Sequence, residues 1–262
     1  MRAVRHHTDC KWVLLYIERW LKAPVSMPDG TLVSRERGTP QGSVISPVLA
    51  NLFLHYAFDC WMQREHPDIP FERYADDAIC HCRSEAQAQK LRHALGQRFA
   101  ECGLQLHPQK TKVIYCQDAN RPGAYPQRSF DFLGYTFRPR PSRNRDGRHF
   151  VNFLPAVSKQ AAKRMRQRVR RWRLHLRSDL KLEEIATWVR PVLDGWVRYY
   201  GRFYPSKLRG ELRTIDQFIV RWAMRKYKRF RGRLRASWNW LQAVKHRNPR
   251  LFAYWSLEPV AG

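Results

Sequence analysis

Apolar residues recur along this chain at two spacings. Over residues 11–21, Trp12, Leu15, Tyr16 and Trp20 fall three and four positions apart, the spacing of one helical face. Ser46 followed by Pro47 reads as a helix start, with Ser46 as the cap and Pro47 in the first turn. Leu49, Leu52, Phe53, Tyr56 and Cys60 then share a face. Residues 71–74 and 78–82 read as two short strands around a tight turn. Ser84 with Gln87 matches a capping box. The helix it opens carries Ala88, Leu91, Leu95 and Phe99 on its inner face and stops at Gly103. Short strands are expected at 104–106, 113–116 and 130–135.

The pattern then becomes helical. Ser158 is placed to cap a helix in which Ala162, Met165, Val169, Trp172 and Leu176 repeat at three and four. A second helical region carries Ile185, Val189, Leu193 and Trp196, with a break expected at Pro191. A third begins after Ser206 and places Leu208, Leu212, Ile215, Phe218, Ile219 and Trp222 inward. The expected class is α+β, a small antiparallel sheet with helices followed by an all-helical part. The expected segments are 1–137, a linker and strand at 138–155, and 156–262. The Pro- and Arg-rich run 138–147 is the reason for the linker.

Charge sharpens this division. Residues 1–137 hold 17 Lys+Arg and 14 Asp+Glu, a net of +3; the remaining 32 and 8 of the chain's 49 and 22 give residues 138–262 a net of +24. A helix that carries Arg164, Arg166, Arg168, Arg170, Arg171 and Arg173 repels itself at one-turn spacing. A polyanion relieves that repulsion, and the phosphate backbone is the commonest one. No run of about 18 apolar residues is present, so no membrane partner is expected, and the chain is expected in the cytoplasm. The six cysteines, at 10, 60, 80, 82, 102 and 116, form no Cys-x-x-Cys pair and read as reduced thiols.

The sharpest chemical signal is Tyr74-Ala75-Asp76-Asp77. Two adjacent carboxylates in a tight turn repel unless a cation sits there, and hard oxygen ligands suit Mg²⁺. A solvated Asp-Asp turn reads equally well from these four residues alone. An ordered series surrounds them: Pro40-Gln41-Gly42 upstream, then Lys110 and Phe132-Leu133-Gly134-Tyr135 downstream.

This series resembles the palm of group II intron reverse transcriptases/maturases, and residues 188–201 look like the thumb/maturase domain of that family. The resemblance implies that Asp76 binds catalytic Mg²⁺ with Asp77 beside it. It implies that Tyr74, Pro40, Gln41, Gly42 and Lys110 face template and incoming nucleotide, and that Phe132, Leu133, Gly134 and Tyr135 form the primer grip. The implied partners are intron RNA, a template-primer, deoxynucleotides and a DNA product or target. Arg164, Arg168, Arg171, Arg225, Lys226, Arg229 and Arg233 are the expected RNA contacts, because the guanidinium fork matches phosphate oxygens. Trp172, Trp188, Trp196 and Trp222 read as core residues first; Trp238 and Trp240 read as better stacking candidates.

In the family, the second metal-binding Asp lies on a strand upstream of this series. Asp9, Asp29 and Asp59 lack that context, so the expectation is a truncated chain, inactive alone and completed by an N-terminal fragment in trans. The zinc-dependent endonuclease domain of some members also finds no Cys pairs here. The alternative is a non-catalytic RNA-binding maturase remnant.

Overall fold

The computed structural model describes residues 1–34, 38, 43–121, 123, 125–144 and 146–257. The chain forms two compact units, Met1–Val113 and Ile114–Gly262. The division falls earlier than residue 137, because the strands that follow pack with the later helices.

In the first unit, helices α1 (Arg2–His7) and α2 (Lys11–Lys22) precede a two-strand ribbon of β1 (Val25–Ser26) and β2 (Leu32–Val33). Helix α3 (Ser46–Leu54) runs through a π-helical turn, His55–Asp59, into α4 (Cys60–Glu65). Strands β3 (Phe71–Tyr74) and β4 (Asp77–Cys80) pair antiparallel, and α5 (Glu85–Glu101) follows. The core joins Phe58, Met62, Ile69, Leu91 and Leu95, with Phe71, Cys80, Phe99 and Leu106 packed against it. Ser84 does cap α5, accepting from the Gln87 amide at 3.2 Å. Gly103 ends that helix region with φ +70°.

Four expectations for this unit and the segment just after it differ. Ser46 is not a cap: Ile45 holds that place and Ser46 lies buried inside the first turn. The buried face is Ala57, Phe58 and Met62, because the π-turn adds a residue to the repeat and rotates the inward side away from the line through Leu49 and Leu52. Residues 104–106 and 113–116 are not strands. On α2 only Ile17 is buried, while Trp12, Tyr16 and Trp20 are exposed.

In the second unit, β5 (Phe130–Phe132), β6 (Tyr135–Arg143) and β7 (His149–Val157) form one antiparallel sheet in the order β5-β6-β7. The expected linker is therefore a strand hairpin. Strand β5 pairs with β6 only as far as Phe137. Beyond it one edge of β6 has no strand neighbour among the described residues, and Pro139 and Pro141 sit there without costing the ladder to β7 a donor. Arg140 is buried between them, donating to the carbonyls of Thr136 at 3.0 Å and Leu154 at 3.1 Å, with Tyr204 beneath its guanidinium.

Helices α6 (Lys159–Trp172), α7 (Leu182–Tyr200), α8 (Pro205–Lys226) and α9 (Leu234–Arg247) complete the unit. Ser158 caps α6, accepting from the Ala161 amide at 3.1 Å. The shared core contains Met165, Val169, Leu174, Ile185, Val189, Leu193, Leu208, Leu212, Ile215, Ile219, Trp222 and Leu241. Helix α7 continues through Pro191. Thr187, whose carbonyl loses its partner, lies on the exposed face where water can serve it, and buried residues on both sides of the proline hold the axis. A buried polar centre ties the C-terminal turns to α8. Asp216 accepts from Lys245 Nζ at 2.8 Å, Tyr254 Oη at 2.6 Å and Trp255 Nε1 at 3.2 Å.

Candidate functional site

The paired carboxylates stand at the tip of the β3–β4 hairpin. Tyr74 pairs with Asp77, so the loop is the two residues Ala75 and Asp76. Ala75 has φ +54° and Asp76 is not left-handed. That is the arrangement of a type II′ turn, which normally takes glycine at its first position. An alanine there stores about 1–3 kcal/mol of backbone strain. Both carboxylates are exposed, as is Tyr74.

Arg73 supports this turn, a role the sequence reading missed. Its Nη1 donates to the Ala75 carbonyl and to Asn51 Oδ1, both at 2.9 Å. Its Nε and Nη2 reach Asp59 Oδ1 and Oδ2 at 2.7 and 2.6 Å, a two-bond fork. The π-turn ends at Asp59 and so sets where the fork is received. Burial pushes the Asp59 carboxyl up, but the Arg73 hydrogen bonds and charge outweigh it, and His55 adds to them, so the group sits below its ordinary value. The Asp59 hydrogen bond raises Arg73 in turn. The two lie fourteen positions apart on different elements, so no spacing in the sequence signals the pair.

The remaining nucleotide-facing expectations divide. Pro40, Gln41 and Gly42 lie outside the described residues. Lys110 is exposed in the turn after His107, whose ring accepts from the Gln109 and Lys110 amides. Of the other acids considered, Asp29 is held in its own turn by Thr31, whose hydrogen bonds lower it below the ordinary carboxylate value. Among the described residues no three His, Cys, Asp or Glu side chains form a group suited to a metal. The donor set at the tip is thus two hard carboxylates, which fits Mg²⁺ with its other positions taken by water or substrate phosphate. The Cys80 thiol is pushed up to about 12, first by burial and then by Cys82 and Glu72, so it is no thiolate ligand at neutral pH.

In the second unit, Phe132, Leu133, Gly134 and Tyr135 form a tight hairpin turn. Leu133 has φ +49° and Gly134 +80°, the type I′ pattern. The tyrosines of α7 fix it. Tyr199 Oη donates to the Leu133 carbonyl at 2.9 Å, and Tyr135 Oη donates to the Tyr199 carbonyl. Burial, with Tyr199 and Tyr200 adding, pushes the Tyr135 phenol up to about 12. A Cβ on Gly134 would lie 2.7 Å from Tyr200 Oη.

The basic side chains are displayed unequally. Arg164, Arg168, Arg171, Arg225, Arg229 and Arg233 are all exposed. Lys226 instead bonds the carbonyls of Ser178 and Leu180, each at 2.8 Å, and closes the loop before α7. Trp238 and Trp240 pack against the core, Trp240 among Trp222, Tyr227 and Phe230. Trp188, which the helical spacing had turned inward, is 45% exposed with Arg177 over its ring.

Residues 2–137 match the model of the reverse transcriptase (RNA-dependent DNA polymerase) family. Residues 162–238 match that of the group II intron maturase-specific domain. The chain belongs to the group II intron reverse transcriptases/maturases. No curated protein matches it. Membership makes RNA and other nucleic acid the partners, RNA-directed DNA synthesis the family chemistry and Mg²⁺ the family's general metal. The reverse transcriptase match contains both hairpin tips, Ala75-Asp76 and Leu133-Gly134, although the second packs within the later compact unit. Among the described residues no helix is long and apolar enough to cross a membrane.

Proposed function

We propose that Asp76 and Asp77 are the metal-binding carboxylates of an RNA-directed DNA polymerase of intron mobility, and that the basic helical unit grips intron RNA in the cytoplasm and helps it splice. One observation carries this reading: the two acids occupy the tip of a strained hairpin held in place by Arg73, inside the segment that matches the polymerase family. Asp76 and Asp77 would hold Mg²⁺, which when bound polarises phosphate oxygens and lowers the pKa of the attacking hydroxyl. The exposed tip leaves room for a triphosphate and a primer end, with Tyr74 and Lys110 as the proposed nucleotide contacts and 132–135 as the primer grip. Residues 1–137 would act as the palm and 156–262 as the thumb/maturase part.

Asp59 cannot serve as the further carboxylate while it is committed to Arg73, and Asp29 is committed to Thr31. We therefore propose that nucleotide addition needs a further acid from outside these positions, of the kind a preceding palm segment carries. Without it the chain behaves as an RNA-binding maturase.

Primer extension on an RNA template with Mg²⁺ tests this, using the chain alone and with a palm fragment from a relative. Extension only on addition, abolished by Asp76→Ala, is the expected result. Robust extension by the chain alone would sink the requirement, and extension that survives Asp76→Ala would sink the assignment of the site. RNA binding should weaken with salt at a log–log slope of roughly −5 to −9 if six to ten phosphates are contacted. A slope near −1 contradicts the extended basic surface.

A further inference from the structure

Helices α6 and α7 enclose a groove of about 570 Å³ on the basic unit. Arg164, Arg168 and Arg171 line one side from α6; Val192, Trp196 and Tyr200 line the other from α7. The three arginines stand at spacings of four and three, so they form one row along roughly 10 Å of helix. Among the described residues none of the three has an ion-pair or hydrogen-bond partner. Arg166, on another side of the same helix, is paired with Glu211. The row along the groove thus carries unneutralised charge, as do Lys163 and Arg170 elsewhere on α6.

The opposite wall is different in kind. Trp196 is half-buried and stacks on Trp172, with ring centroids 5.9 Å apart. Tyr200 is likewise half-buried. Burial, then Tyr199, raises its phenol, and the positive charge of Arg164 pulls it back, which puts that guanidinium within electrostatic reach of the ring. Val192 completes an apolar and aromatic surface facing a row of cations.

A duplex backbone offers such a groove phosphates and sugars only, and would leave the aromatic wall without a partner. A nucleotide out of its stack offers both parts at once, a flat π-face for the wall and a phosphate for the arginines. The volume lies in the range of pockets that take small ligands of about this size. We propose that the α6–α7 groove captures an unstacked nucleotide of single-stranded RNA, its base against Trp196, Tyr200 and Val192 and its flanking phosphates on Arg164, Arg168 and Arg171. This rests on the RNA-binding reading above and adds that the recognised element is a single-stranded segment rather than a helix.

The test compares two fluorescein-labelled oligomers of equal length, an oligouridine and a ribose-phosphate chain without bases. Both are titrated by anisotropy against the full chain. Base stacking should make oligouridine bind between about fivefold and a hundredfold more tightly. Trp196→Leu and Val192→Trp, the second filling the groove from its partly exposed rim, should each remove that preference while the salt slope stays the same. In the unaltered chain, an oligomer carrying 5-iodouridine should photo-crosslink to Trp196 or Tyr200. That readout does not depend on either variant folding. Equal affinity for the two oligomers overturns the proposal and leaves the phosphate-binding reading standing. So does a base preference that survives in both folded variants, or crosslinks confined to other aromatic residues. Binding of neither oligomer overturns both readings together.

Discussion

Arg73→Gln isolates what holds the carboxylate turn. The guanidinium makes four hydrogen bonds, two to Asp59 and one each to Asn51 and the Ala75 carbonyl. Its side chain is 13% exposed and that of Asp59 18%. Removing one partner of a fully buried pair costs about 3–5 kcal/mol, and a surface pair is worth at most about 1. This mostly but incompletely buried fork should therefore cost about 2–3 kcal/mol. The chain has two compact units, so local opening is a better readout than a single denaturation midpoint. Amide hydrogen exchange across β3 and β4 should accelerate by roughly thirtyfold or more.

The pH dependence has a definite sign. The Asp59 carboxyl is depressed in the folded chain. Its stabilisation is thus fully present above the unfolded carboxylate pKa of about 4 and is lost as pH falls through the lower folded value. In the variant, burial acts with little opposition and raises the group. The gap between the two proteins should be widest near neutrality and close in acid. Arg73→Gln with Asp59→Asn should recover about 1 kcal/mol over Arg73→Gln alone, because no unpaired charge remains. Hairpin exchange within about twofold of the unaltered chain at neutral pH would refute the reasoning.

Other consequences follow from single contacts. Gly134→Ala puts a Cβ against Tyr200 Oη in a left-handed backbone and should cost about 2 kcal/mol or more in urea unfolding; adding Tyr200→Phe, which deletes the colliding oxygen, should return part of it. Lys245→Met leaves the buried Asp216 carboxylate without its cation and should cost about 3–5 kcal/mol by the same measure; adding Asp216→Asn should recover much of that. Ala75→Gly removes the strain at the tip and should slow hairpin exchange, with a gain of about 1 kcal/mol after the extra entropy of glycine is counted.

The sequence by itself determined the class, the order of most elements and the family. Strong helical repeats such as Met165, Val169 and Trp172 became the core, because periodic apolar faces have one way to be buried. The Asp76-Asp77 turn was legible because tight turns are local chemistry; the Leu133-Gly134 turn interrupts what had read as a single strand over 130–135. The residues that hold these turns were not. Arg73 meets Asp59 fourteen positions upstream, and Tyr199 meets Leu133 sixty-six positions downstream. No spacing rule links such partners. Composition misled at 138–147, where prolines that suggest a linker occupy the free edge of β6. The π-turn at 55–59 rotated a helical face that an unbroken 3.6-residue repeat had assigned otherwise. Which arginines stand free over an aromatic wall and which are neutralised was likewise settled by packing, because charge along a chain acquires a side only when helices lie against each other.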